Sequence, residues 1–84
     1  MEPKTRVVEF FKSHGELPES ETEIMEFNYL DSGLIDSMQL VEMIVKFEDE
    51  FNVKFTHEEL QSNEFRTIGG LLNIINSHRE SNEN

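Results

Sequence analysis

The chain has 84 residues, enough for one domain with a modest core, and its 18 acidic against seven basic residues give a formal net charge of −11. This charge argues against nucleic acid and anionic membranes as partners, because both are bound through Lys and Arg. It favours partners with basic patches, although acid that only keeps a small protein soluble is the simpler explanation of the composition alone. Because the sequence has no cysteine, any thiol chemistry must come from an attached group.

Nothing in the sequence indicates export or a membrane anchor. The first four residues are polar, unlike a signal peptide, and no apolar run approaches the roughly 20 residues that span a bilayer. We therefore expect a cytoplasmic monomer without membrane insertion. It should form a single domain over residues 1–84, with a core at about 3–79 and a frayed tail at 80–84.

A first helix is predicted over residues 3–13. Pro3 suits the first helical position, and Gly15 is predicted to end the helix in the left-handed conformation. The apolar face of this helix consists of Val7, Val8, Phe10 and Phe11.

Residues 16–36 are predicted to form a long loop. A polar linker would not need the apolar side chains scattered through it, so we expect them to pin the loop onto the core. These side chains are Leu17, Ile24, Met25, Phe27, Tyr29, Leu30, Leu34 and Ile35.

Residues 37–51 give the clearest helical pattern, with apolar side chains over more than half of the circumference. One stripe, predicted to be core, consists of Leu40, Ile44, Phe47 and Phe51. A second stripe beside it consists of Met38, Val41 and Val45. The excess apolar surface fits either burial between several helices or an exposed patch that meets a partner.

Two further helices follow. After an extended link with buried Val53 and Phe55, Thr56 and Glu59 form a capping box for a short helix that ends near Gln61. A last helix begins after its cap Thr67, and glycines at positions 69 and 70 allow another helix to pack closely against it. Its apolar face consists of Ile68, Leu71, Leu72, Ile74 and Ile75.

The sequence therefore predicts an all-α bundle of three long helices and one short helix, with a long loop between helices 1 and 2. Catalysis finds little support, because His14, His57 and His78 lie at predicted helix ends and the chain has little room for a cleft. Residues 31–42 have the length of an EF-hand loop, but Gly33 stands where a ligating side chain is expected. We therefore expect neither an enzyme nor a dedicated metal site, which leaves open only loose binding of cations by the acidic surface.

Ser37 lies at the start of the best helix, after the expected N-cap Asp36, and Gln39 completes a capping-box pattern. A phosphate ester on this serine would be favoured, because the first N–H groups of a helix are unpaired and the helix dipole attracts negative charge. A plain helix start explains the same residues, and such starts are very common.

The wider sequence resembles the acyl carrier protein family. The resemblance lies in residues 33–38 (Gly-Leu-Ile-Asp-Ser-Met), in 41–42, and in the acidic segment 47–51 that ends in phenylalanine. An Asp-Ser-Leu/Met triplet opening the second helix, followed by an acidic cluster, is the mark of that family. The resemblance covers nearly the whole chain and is weakest over residues 1–25.

The resemblance implies a non-catalytic carrier whose Ser37 bears a 4′-phosphopantetheine arm. A phosphopantetheinyl transferase would move the arm from coenzyme A onto the Ser37 hydroxyl, and the arm's thiol would hold acyl or aminoacyl groups as thioesters for loading and transfer enzymes with basic patches. Asp36 and Glu42 would contact the transferase or a metal ion beside the serine. The other expected partner-binding residues are Met38, Val41, Val45, Glu48, Asp49, Glu58 and Glu59.

Some features depart from fatty-acid carriers. Leu34 and Ile35 precede the Asp-Ser pair, Met38 replaces the commonest Leu, and the link 60–67 is longer and contains Phe65. These traits look more like stand-alone carriers of specialised pathways, including D-alanyl and other aminoacyl carriers. The alternative is an acidic helical interaction module that keeps the fold without being modified, which would have no need of an intact Asp-Ser pair.

Overall fold

The computed structural model describes the backbone of residues 3–82 and the side chains of residues 3–79. Within this part the elements in chain order are α1 (Pro3–Lys12), α2 (Glu21–Glu26), α3 (Ser37–Phe51), α4 (His57–Leu60), a 3₁₀ helix (Asn63–Arg66) and α5 (Ile68–Asn82). The predicted all-α bundle is confirmed. None of the helices in the described residues is long and apolar enough to cross a membrane.

The long loop between the first two long helices contains α2, which the sequence does not predict. The Ser20 hydroxyl caps this helix by accepting a hydrogen bond from the Glu23 amide at 3.3 Å. Glu21 and Glu23 in the first turn complement the helix dipole. Only Ile24 and Met25 pack against the core, and two apolar residues are too few to produce a helical period in the sequence.

The core is built around α5, and every element except α2 and α4 contributes a buried side chain. The predicted apolar face of α5 is buried throughout, as are the link residues Val53 and Phe55 and the anchor Phe65. The buried side chains that make up the hydrophobic core are Val7, Phe11, Tyr29, Ile35, Met43, Phe47, Val53, Phe55, Phe65, Ile68, Leu71, Leu72, Ile74 and Ile75. The apolar residues of the 16–36 loop are all buried or packed against this core, so the prediction that they pin the loop is confirmed.

The centre of the buried face of α3 differs from the prediction. Met43 and Phe47 are fully buried, whereas Leu40, Ile44 and Phe51 are half-buried against the core. Met43 lies one turn before Phe47, on the line that faces the other helices. Periodicity shows that an apolar face exists, but when the apolar arc is this wide it does not show where its centre lies.

Gly15 does not have the predicted left-handed conformation. Among the described residues, positive φ angles occur at Gly33, with φ of 83°, and at Asn52, with φ of 55°, which ends α3. Gly15 is instead a point of close approach, since a Cβ there would lie 2.5 Å from Cδ1 of Leu34.

The glycines in the first turn of α5 allow neighbouring helices to pack closely against its backbone, as predicted. A Cβ on Gly70 would overlap the carbonyl group of Glu64, and a Cβ on Gly69 would lie 2.9 Å from the carbonyl oxygen of Met25. The α5 helix continues to Asn82, so residues 80–82 of the predicted frayed tail are helical, and residues 83–84 lie outside the described part.

A capping box and one side-chain pair hold α4. The Glu59 amide donates to the Thr56 hydroxyl at 3.1 Å, and the Thr56 amide donates to the Glu59 carboxylate at 2.8 Å, which confirms the predicted box. The same carboxylate oxygen lies 2.7 Å from Nε2 of His78 on α5. Desolvation raises the pKa of the Glu59 carboxyl, but the bonds to His78 and Thr56 outweigh it and hold this pKa below its ordinary value.

Gly70→Ala should destabilise the fold by about 2 kcal/mol, although alanine is the better helix former, because the new methyl group would collide with the rigid backbone at Glu64. Urea unfolding of both proteins measures the difference. Asn73→Ala, at an exposed position of the same helix, is the matched control and should be neutral or slightly stabilising. Equal stability of Gly70→Ala and wild type would contradict the close packing.

His78→Ala should raise the pKa of the Glu59 carboxyl toward its ordinary value of 4.5. Because this pKa is depressed in the folded state, the stabilising contribution of Glu59 is present above that value and is lost as the pH falls through the folded pKa. The variant should therefore lose less stability than wild type on acidification from about pH 6 to pH 3. A carboxyl NMR titration with urea unfolding at each pH tests this, with His14→Ala as the control that leaves Glu59 unchanged.

Candidate functional site

Ser37 is the first residue of α3 and its side chain is exposed. Asp36 precedes it in extended conformation, and the Asp36 carboxylate accepts a hydrogen bond from the Gln39 amide at 2.8 Å. The Gln39 side-chain oxygen accepts in return from the Asp36 amide at 3.0 Å. This confirms the predicted capping box, so the serine hydroxyl projects from a well-defined helix start into solvent.

The backbone of the same turn can accommodate negative charge. The Gln39 amide is satisfied by the Asp36 side chain, and the Leu40 amide by the Asp36 carbonyl at 2.8 Å. The amides of Ser37 and Met38 come too early in the helix to have an acceptor within it. A phosphate ester on the serine oxygen would lie beside these amides at the positive end of the helix dipole, so the residues present fit a phosphate-linked group.

Tyr29 anchors the segment that leads to Ser37. Its ring is fully buried and its hydroxyl donates a hydrogen bond to the carbonyl of Phe65. Burial raises the pKa of the Tyr29 hydroxyl, so this group stays a neutral donor. The Tyr29 amide donates to the Arg66 carbonyl at 3.2 Å, and the Ile68 amide donates to the Phe27 carbonyl at 3.2 Å. The segment is thereby paired with the chain that enters α5.

The last residues before the serine are fixed in turn by Tyr29. The Ile35 amide donates to the Tyr29 carbonyl at 3.2 Å, and the Ile35 side chain is buried. Sequence reasoning expected these residues to be buried but did not foresee that they orient the serine. The presence of one tyrosine among the apolar loop residues was the available signal, because a buried hydroxyl needs an acceptor.

The second apolar stripe of α3 is exposed, which excludes the explanation that it is buried between several helices. Met38 is 77% exposed, and Val41 and Val45 are each 60% exposed. Glu42 and Asp49 are also exposed, and at 100° per residue all five side chains fall within about 100° of arc. We call these five residues the α3 contact face.

Two of the acids expected to meet partners have local bonds instead. The Glu48 carboxylate is half-buried and accepts a hydrogen bond from the Phe55 amide at 2.9 Å, which ties the end of α3 to the next link. The Glu59 carboxylate is engaged by Thr56 and His78, as described above. Glu58 is exposed on α4.

Charge is segregated along the chain. Residues 13–45 contain eight of the acidic residues and none of the seven Lys and Arg residues. This stretch includes α2, the loop before Ser37 and the first half of α3. In the part of the chain that the structure describes, no group of three or more His, Asp and Glu side chains is placed to hold a metal ion.

Comparisons with known proteins agree with this geometry. Residues 21–75, from the start of α2 into α5, match the family model described as a phosphopantetheine attachment site. The chain is 35% identical to the acyl carrier protein of Clostridium acetobutylicum over 60 residues, which cover 70% of this chain and 75% of that protein. It is 34% identical to the D-alanyl carrier protein of Streptococcus pyogenes serotype M5 over 50 residues, covering 60% of this chain and 63% of that protein, less than two thirds of its length. No solved structure gives a significant match.

The matched segment contains the exposed serine, its helix and the loop that positions both, and it spans more than half of the chain. The α1 helix, where the sequence resemblance is weakest, lies outside it. The chain therefore belongs to the acyl carrier family with a phosphopantetheine attachment site, and its prosthetic group is 4′-phosphopantetheine.

Proposed function

We propose that Ser37 carries the phosphopantetheine arm and that the protein holds acyl or aminoacyl groups on it as thioesters. The observation that carries the proposal is the exposed Ser37 hydroxyl at the first turn of a long helix, within the segment that matches the family model. When bound, the arm supplies the thiol that a chain without cysteine lacks. The relatives named for acyl and for D-alanyl groups support both cargo classes.

In the attachment step this chain is the substrate of a transferase. The Ser37 oxygen forms a bond to a phosphorus atom of the coenzyme A pyrophosphate, the bond from that phosphorus to the nucleotide part breaks, and the serine proton passes to a base of the transferase. The capping box keeps the serine at one place and in one direction, which favours a reactive alignment. The first-turn amides of α3 stabilise the phosphodiester charge that remains on the protein.

The α3 contact face is the surface we assign to partner enzymes. Its centre is apolar, with Met38, Val41 and Val45, and its edge carries Glu42 and Asp49. An apolar centre with a charged rim is the usual composition of a specific protein interface. The acids speed encounter with a basic partner, while the apolar side chains provide most of the binding free energy.

Intact mass spectrometry after incubation with coenzyme A and a broad-specificity phosphopantetheinyl transferase tests the proposal. Wild type should gain the mass of one arm and Ser37→Ala should gain none. Ser77→Ala, which removes an exposed serine on α5, should be modified like wild type. If wild type stays unmodified while a known carrier is labelled in parallel, the carrier proposal is wrong and an unmodified interaction module accounts for the exposed stripe.

Glu42→Lys should slow modification at low salt, with kcat/KM lowered about threefold to tenfold, because it reverses a charge on the contact face. The difference should shrink as salt is added. Glu9→Lys makes the same charge change at an exposed position of α1 and should have a much smaller effect. Equal effects of the two variants at all salt concentrations would contradict local steering by the contact face.

The class of cargo is decided by a second assay on the modified protein. Adenylating enzymes supplied with D-alanine, with other amino acids or with fatty acids compete for the same arm. The mass of the loaded product identifies which class the protein accepts.

A further inference from the structure

We propose that Asp31 and Arg66 are positioning residues for the modification of Ser37. Their ion pair fixes the turn that precedes the serine onto the 3₁₀ helix Asn63–Arg66. The inference rests on the proposed attachment at Ser37 and adds which residues outside the helix start control how the serine is presented.

The turn after Asn28 is organised by the Asn28 side chain. Its oxygen accepts hydrogen bonds from the Leu30 amide at 3.1 Å and from the Asp31 amide at 2.8 Å. Its side-chain nitrogen donates to Oδ2 of Asp31 at 3.0 Å. Both the backbone and the carboxylate of Asp31 are therefore held in place.

Arg66 binds this turn from the opposite segment. Its Nη1 donates to Oδ1 of Asp31 at 2.9 Å, so the two carboxylate oxygens of Asp31 have different partners. The Arg66 carbonyl accepts from the Tyr29 amide. One residue of the 3₁₀ helix thus bonds the loop through both its side chain and its backbone.

The tip of the turn is restrained by these bonds rather than by packing. Gly33 has a φ of 83°, and a Cβ at this position would meet nothing within 4 Å. Its amide and that of Ser32 are bonded to carbonyls within the same turn. Glycine permits many backbone conformations. If the bonds to the Asp31 side chain are lost, the turn can therefore adopt several backbone conformations before the chain reaches the buried Ile35.

The pair has a small role in global stability. Its side chains are 65% exposed for Asp31 and 47% exposed for Arg66, and ion pairs of this kind contribute little to folding. The buried Tyr29 and Ile35 keep the segment folded without it. Removing the pair therefore leaves a folded protein in which the turn adopts more conformations, and fewer of them present Ser37 correctly.

Modification kinetics distinguish a positioning role from a purely electrostatic one, because in Arg66→Ala the loss of positioning slows modification whereas the loss of positive charge favours it. Removing a positive charge makes the protein more acidic, so electrostatic attraction alone would lower KM for a basic transferase. Loss of positioning instead lowers kcat, by about threefold to fivefold if the bond has the strength of an exposed ion pair. Lys54→Ala is the control, with the same charge change on the link between α3 and α4.

The experiment measures modification kinetics and amide hydrogen exchange for six proteins: wild type, Arg66→Ala, Asp31→Ala, the double alanine variant, the swapped pair Asp31→Arg with Arg66→Asp, and the Lys54→Ala control. We expect kcat to fall in both single variants of the pair and the double variant to be no slower than Asp31→Ala, which already loses the bonds to both Asn28 and Arg66. Thermal stability should stay within one or two degrees of wild type, an order-of-magnitude limit. Exchange at the Gly33 and Ile35 amides should accelerate in the same variants. The swapped pair Asp31→Arg with Arg66→Asp should recover part of the lost kcat.

Unchanged kcat and exchange in Arg66→Ala would overturn the inference and leave the proposed function standing. An equal fall of kcat in the lysine control would also overturn it, since the effect would then not be specific to the Asp31–Arg66 pair. A wild-type chain that the transferase does not modify would overturn the proposed function and with it the positioning role, even if the exchange data show that the pair restrains the turn.

Discussion

The placement of Ser37 depends on one buried hydrogen bond, from the Tyr29 hydroxyl to the carbonyl of Phe65. Leaving a carbonyl or hydroxyl unpaired in the core costs about 1–3 kcal/mol, so tyrosine and carbonyl must bury together. Once Tyr29 is seated, its amide pairs with the Arg66 carbonyl and its own carbonyl receives the Ile35 amide. The serine two residues beyond Ile35 is thereby positioned from the core.

The acceptor in this bond is itself fixed by the glycine-rich start of α5. Because Gly70 has no side chain, the backbone at Glu64 approaches α5 directly, and the 3₁₀ helix that contains Phe65 lies against its first turn. The 3₁₀ helix lies within the link of residues 60–67. It provides both the acceptor for Tyr29 and the arginine that binds the turn before Ser37.

The features that sequence predicted best are those decided within a few residues. Capping boxes at Asp36 and Thr56 and the buried face of α5 depend on local spacing and were confirmed. The features that the sequence did not predict depend on which segments pack against each other in the folded chain. Met43 lies in the core because of what faces it across the bundle. Gly15, in the turn after α1, leaves room for Leu34 rather than adopting the predicted left-handed conformation.

The candidate site shows the same limit. Ser37 and the acids around it can be read from the sequence, because they form a short continuous pattern. The bonds that tie Glu48 to Phe55 in the next link and Glu59 to His78 on α5 cannot be read in the same way, because the tertiary fold sets these partners. For the loop before the serine, the sequence predicted buried side chains but not the ion pair that restrains the turn, because the donor Arg66 lies 35 residues from its acceptor Asp31.

The acidic composition has two explanations, and its distribution favours the functional one. Solubility requires only net charge, wherever it lies, whereas this chain keeps all Lys and Arg out of residues 13–45. Under the proposed function, the excess of acid in this stretch would favour encounter with a basic partner. The acids would also oppose self-association through the exposed stripe of α3. Two copies that met through Val41 and Val45 would place Glu42 and Asp49 close to the same acidic residues of the other copy, and like charges repel. Under the proposed function, the acids that speed encounter with a basic partner would therefore also oppose the binding of a second copy to the same face.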